Sequence, residues 1–222
     1  MQKIVMTEGV AMLVEETVTD IVDLDEFRRS ISLNVVSTPV LPFGCVLYTE
    51  KDNDQTLCVM RRAEILDVNQ ANRIYKLALP HRLYTFAIRN GQMRHVYQHF
   101  MLGMPKDKKA EVFDAPFPNR VSSGSICQSG VMISPVKEPL PFRVDNVVNQ
   151  IERTRYNTDH ISYAKQAMPP IFSEGARGTY TQMLDSWRKW TEAHEKTWEA
   201  ELGTIPWRKA GTLESISGGA RG

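Results

Sequence analysis

The dipeptide Asn90-Gly91 constrains this chain more than any other local feature. It stands between residues 84–89 and 92–97, two runs in which apolar and polar side chains alternate. Both corner residues of a two-residue hairpin take positive φ, which Asn and Gly tolerate and branched side chains resist. An antiparallel hairpin must therefore lie near the middle of the chain, and any fold has to be built around it.

The sequence ahead of the hairpin predicts further strands over residues 10–18, 33–36, 45–48 and 56–60, with the polar turn Lys51-Asp52-Asn53-Asp54 before the last. Asp67 reads as a helix N-cap. Val68, Ala71, Ile74, Tyr75 and Ala78 follow at helical spacing and Pro80 ends the run, so a helix is expected over 67–79. Beyond the prolines at 135, 139 and 141, Val144, Val147, Val148 and Ile151 outline one helix face. A longer helix is predicted over 180–202. Thr179 and Gln182 form its capping box; Met183, Leu184, Trp187, Trp190, His194, Trp198 and Leu202 form its apolar stripe; Gly203 ends it.

With 222 residues, 42% of them hydrophobic, the chain can bury one core of about 150 residues and carry an extension. We read a single domain over 1–205, with a sheet region over 8–100, an active-site segment over 113–135, a helical region over 143–203 and a flexible polar tail over 206–222. A net charge of +1, from 27 basic and 26 acidic residues, provides no footprint for nucleic acid and no polybasic membrane patch, so a protein partner is expected. Acidic Glu8 comes too early for a secretory signal, no apolar run approaches membrane-spanning length, and a cytoplasmic location follows as the expectation. Cys45, Cys58 and Cys127 are odd in number and far apart, which argues against a disulfide framework and against a zinc or other metal site.

One of these cysteines sits in a chemical frame. In the run Ala115-Pro116-Phe117-Pro118-Asn119-Arg120-Val121-Ser122-Ser123-Gly124-Ser125-Ile126-Cys127-Gln128-Ser129, Asn119 precedes Cys127 by eight positions. Gly124 and Ile126 stand three and one positions before the cysteine, and Ser129 two after it. This spacing resembles the signature of ubiquitin-conjugating enzymes, in which His-Pro-Asn is followed by four residues, Gly, any residue, Ile or Val, and the catalytic Cys. Phe117 stands where that signature has His. More narrowly, the segment is similar to the bacterial branch called prokaryotic ubiquitin-conjugating family D, to which protein B of the PRTRC plasmid systems belongs and which characteristically lacks this His. The specific resemblance covers residues 80–135.

The resemblance implies an α+β fold of ubiquitin-conjugating type: an antiparallel β-meander, a segment carrying the active-site loop, then helices on one sheet face. The expected helix over 67–79, and the lack of a clear helix ahead of the sheet, depart from that pattern. It also implies partners, a ThiF-type activating enzyme that uses ATP and a small ubiquitin-like protein, with no cofactor on this chain. Cys127 would carry the modifier as a thioester, because a thiolate is a strong nucleophile near neutral pH and a thioester is open to attack by an amine. Asn119 would stabilise the oxyanion of that attack, Gly124 would let the loop turn, and Pro118 would stiffen it. Ser122, Ser123 and Gln128 are near in sequence, and none is singled out as a base.

The remaining candidates read as structural. Cys45 and Cys58 lie in strand-like stretches and belong to the core. His95 and His99 are four apart, but strand alternation makes them surface or edge residues instead of metal ligands. The tryptophan stripe is core, and Gly218-Gly219 is part of a terminus of small residues. Two other functions stay open: an inactive ubiquitin-conjugating fold that binds a ubiquitin-like protein or target, and a cysteine hydrolase. The hydrolase would need a histidine that folding brings to Cys127, since none lies between His99 and His160.

Overall fold

In the computed structural model, residues 40–51, 54–70, 72–120, 124–126, 137–153, 160–173 and 178–219 are described in full, and residues 3–7, 10–14 and 18–23 by their strands. The chain divides into two units, Met1–Pro39 and Val40–Gly222, where one domain over 1–205 was expected. In the first unit β1 (Lys3–Thr7), β2 (Val10–Val14) and β3 (Val18–Asp23) form an antiparallel sheet in chain order. The strand predicted over 10–18 corresponds to β2 and the start of β3. The one predicted over 33–36 lies outside the described residues.

The second unit is α+β. Its strands are β4 (Cys45–Lys51), β5 (Asp54–Arg61), β6 (Glu64–Gln70), β7 (Arg73–Leu79), β8 (His81–Arg89), β9 (Gln92–Met101), β10 (Glu111–Asp114) and β11 (Lys209–Thr212). Six of them form one antiparallel sheet in the order β11-β10-β9-β8-β5-β4, while β6 and β7 pair only with each other. The helices are α1 (Leu140–Arg153), α2 (Ile161–Ala167), α3 (Pro170–Ser173), α4 (Tyr180–Ala193), α5 (Trp198–Glu201) and α6 (Leu213–Gly219). None of the described helices is long and apolar enough to cross a membrane.

The central hairpin forms where Asn-Gly places it. Asn90 and Gly91 have φ of 51° and 72°, and Arg89 pairs with Gln92 across the turn. The helix expected over 67–79 is instead the hairpin β6–β7. Val68, Ile74, Tyr75 and Ala78 fit a helical period by coincidence, but Tyr75, Leu77 and Leu79 alternate into the core with the period of two that a strand requires. Asn72, at φ 65°, supplies the positive φ that closes the turn.

Alternation along β5 divides the core of this unit. Leu57 and Val59 face α1, whose Val144, Val147, Val148 and Ile151 are buried against Tyr84, Phe86, Ile88 and Val96. Cys58 and Met60 face the opposite side, where Leu213 at the start of α6 packs with Leu83, Met101 and Val112. Helices thus cover both sheet faces. Residues 206–219 are not a flexible tail: Trp207 is buried, β11 pairs with β10, and α6 anchors through Leu213. Their short apolar anchors were hidden among small polar residues. A third cluster joins β6–β7 to α4 around Trp187, with Phe100, Phe117, Phe172, Tyr180 and Trp207.

The capping of α4 follows the sequence, Gln182 accepting a hydrogen bond from the Thr179 amide at 2.9 Å. The helix stops at Ala193, because His194 leaves helical geometry at φ −113°, ψ 26°. Trp198 and Leu202 belong to α5 and to a following 3-10 turn, Leu202–Thr204, in which Gly203 sits.

Candidate active-site segment

After β10, residues 115–120 and 124–126 are pinned to the sheet. The Phe117 amide donates to Ala115 O at 2.9 Å, and the Arg120 amide donates to Phe117 O at 3.3 Å. Pro118 and Asn119 therefore occupy the two corners of a turn, a placement for which the fixed φ of proline is suited. Arg120 then bridges to Ile126, Ser125 bridges to Tyr97, and the Ile126 amide donates to Val96 O at 2.8 Å. The loop's mouth is so tied to β9. Gly124 lies within it at φ 87°, which a side chain resists. Cys127 and Ser129, with Ser122, Ser123 and Gln128, lie outside the described residues.

Of the described motif residues, Pro118 is buried and Asn119 half-buried. Ile126 is buried in the α1-facing core beside Val96. Phe117, at the position of the signature His, is 1% exposed. Its ring meets Phe100 edge-on at 5.8 Å, and the Tyr180 hydroxyl donates to Pro116 O at 2.6 Å just before it. The turn is held here by packing against α4, with the aromatic ring of Phe117 at the position that the narrower resemblance expected to lack histidine.

Sequence reasoning missed the polar cluster behind the loop. Arg120 is fully buried. Its Nη1 donates to Ala115 O, its Nε to Gly124 O at 3.4 Å, and Nη2 lies 3.6 Å from Asp114 Oδ1. The guanidinium also stands 5.3 Å over the ring of Tyr163 on α2. Asp114 accepts from the Tyr163 hydroxyl at 2.7 Å and pairs with Arg208 Nε at 3.3 Å. Burial lowers Arg120, with Tyr163 and Asp114 opposing, but an arginine starts so high that it stays charged at neutral pH.

His99, read from the sequence as a surface or edge residue, is 1% exposed and faces this cluster. A methyl group on Gly124 would stand 2.6 Å from its Cε1 and 2.5 Å from Arg120 Nη2. Burial and the neighbouring guanidinium hold His99 well below the usual histidine range, so the ring is neutral. Its Nδ1 has no hydrogen-bond partner among the described residues. The adjacency of Arg120 to Asn119 was the one available signal for the cluster. Nothing in the linear sequence joins His99 or Tyr163 to it. His95, by contrast, is exposed.

The other cysteines are placed as core residues. Cys58 is fully buried, 3.5 Å from the Thr85 hydroxyl, and burial pushes its thiol up to about 11. Cys45 is half-buried, its thiol also raised by burial. Among the described residues no group of three or more His, Cys, Asp or Glu is placed to hold a metal ion. A groove of about 740 Å³ between β6–β7 and α1, lined by Asp67, Ile74, Lys76 and Glu152, includes no residue of the motif.

Compared with known proteins, the chain matches no family model, no curated protein and no solved structure.

Proposed function

We propose that the chain is a ubiquitin-conjugating-like enzyme that carries a ubiquitin-like protein as a thioester on Cys127 and transfers it to an amine. The observation that carries this reading is the spacing of Asn119, Gly124, Ile126 and Cys127. Support comes from a turn with Asn119 at its corner and a positive-φ glycine, on a segment tied to an antiparallel sheet.

In the proposed reaction a ThiF-type partner activates the modifier's C-terminal carboxyl with ATP, and Cys127 takes the acyl group from it by thioester exchange. An amine that has lost its proton then forms a C–N bond to the thioester carbonyl. Negative charge gathers on the carbonyl oxygen, where the Asn119 amide is the donor. As the intermediate collapses the nitrogen gives up its extra proton to solvent, the C–S bond breaks, Cys127 leaves as thiolate, and the amide product is released.

His99 favours a second reading, because its neutral, buried imidazole lies against Gly124, three residues before Cys127 in sequence. A cysteine hydrolase needs such a partner. The test is to incubate the chain with ATP, a candidate activating enzyme and its ubiquitin-like protein, with Cys127→Ala in parallel, and to follow a thiol-sensitive adduct by intact mass. An adduct that needs Cys127 supports conjugation. Modifier hydrolysis without transfer supports the hydrolase, and binding without any adduct supports an inactive binding module.

A further inference from the structure

We propose that Arg120 is the positioning residue of the turn that carries Asn119, doing through its buried guanidinium what the Phe117 ring cannot do. This rests on the conjugating reading for its consequence in transfer, but its geometry stands apart from it.

Ala115 follows the end of β10 and Gly124 precedes the bridge of Ser125 to Tyr97, and Arg120 holds both of their carbonyls. A planar fork with several fixed donors can join two such acceptors in one geometry, which a lysine ammonium cannot reproduce. The fork is itself held by three neighbours, with Nη2 in an ion pair and not in a hydrogen bond. Tyr163 covers its face at 5.3 Å, Asp114 supplies its countercharge, and Gly124 leaves room for Nη2 that a methyl group would fill. His99 on the same side is neutral and so adds no repulsion. The Phe117 ring, at the start of the turn, is committed to the core and is not a hydrogen-bonding group. Asn119 is the residue immediately before Arg120, so a shift of the guanidinium is transmitted directly to the proposed oxyanion donor. Arg120 touches no reacting atom in this account.

The test compares Arg120→Met and Arg120→Lys with the unsubstituted chain. Asp114 keeps Tyr163 and Arg208 in both variants, so even the loss of charge in Arg120→Met leaves no stranded carboxylate. Two steps are timed: charging of Cys127 by the activating enzyme, and single-turnover discharge of the purified thioester to free lysine. Charging should stay within about threefold, because a thiolate is a far stronger nucleophile toward a thioester than an amine and leans less on the oxyanion donor. Discharge should slow on the order of 10²-fold in Arg120→Met, the loss expected for a catalytic group displaced by about 1 Å. Arg120→Lys should recover only part of that, and the apparent pKa of discharge should not move, since Arg120 is not the base.

Discharge at the unsubstituted rate in a folded Arg120→Met chain would overturn the proposal. So would a parallel fall in charging and discharge that tracks the unfolded fraction. Should Arg120→Met fail to fold, Arg120→Lys decides by the same two rates. If the unsubstituted chain accepts no modifier at all, the conjugating reading fails, and hydrogen exchange at the Ile126 amide decides the role of Arg120. Faster exchange at Ile126 in the variants, with β8 protection unchanged, supports it; unchanged exchange overturns it.

Discussion

Phe117 lies parallel to Trp187, with ring centroids 6.4 Å apart and planes inclined by 16°. The pair couples the turn that carries Asn119 to the centre of α4. This contact gives the aromatic ring at position 117 its packing role.

A histidine at position 117 should therefore harm the protein. Phe117→His would bury an imidazole among Phe100 and Trp187, at a cost of about 1–3 kcal/mol for an unmatched polar group. The urea midpoint should fall, and adduct formation on Cys127 should not improve. A gain in both would show that Phe117 is a defect and not a packing residue.

Gly124 has no room for a side chain. Gly124→Ala would set a methyl group 2.5 Å from Arg120 Nη2 and hold an L-residue at φ 87°. The backbone alone costs about 1–2 kcal/mol, and displacement of the guanidinium adds to that. Thermal unfolding should report a loss above about 2 kcal/mol, with exchange at Ile126 accelerated. Gly203, which has open space around its Cα, is the control position and should accept alanine with little change.

Stability should fall on the acid side of neutrality. His99 is held below its unfolded pKa of about 6.5, so between the two values the unfolded chain binds the extra proton. Its contribution is fully present above pH 6.5 and is lost as pH falls toward the depressed folded value. His81, lowered chiefly by burial, acts in the same direction. Urea midpoints at pH 7.5, 6.5 and 5.5 should show the decline, and His99→Gln should flatten it. An identical slope in that variant would assign the pH dependence elsewhere.

Cys58 should escape alkylation in the folded chain, being fully buried with its thiol pushed up to about 11. Iodoacetamide at neutral pH, read by intact mass on Cys127→Ala, should leave Cys58 unlabelled until urea is added. Rapid native labelling of Cys58 would mean that the α6-facing core opens readily.

Local signals were legible and distant ones were not. Asn90-Gly91 dictated its own turn through backbone φ, and Val144, Val147, Val148 and Ile151 did face one core. The 67–79 segment misled because several apolar positions satisfy periods of both two and 3.6, and its turn has Asn72 where a glycine would have announced a hairpin. Within the site, Asn119, Gly124 and Ile126 could be proposed because they are neighbours in sequence. His99 and Tyr163 reach Arg120 and Asp114 only when β9 and α2 are folded against the loop, and no short-range pattern encodes that meeting.

The pairing of Glu111 with Thr212 has a kinetic meaning. Strand β10, from which the loop departs, gains its outer neighbour from a segment on the far side of every helix from α1 to α5, whereas β8 and β9 meet across two residues. Hairpins close in about 1–10 μs, while pairings distant in sequence wait for the intervening chain to be ordered. A refolding molecule thus builds the floor of the loop early and its outer wall last. Pulsed hydrogen exchange should find the Asp114 amide, which donates to Arg208 O at 2.9 Å, among the late-protected positions.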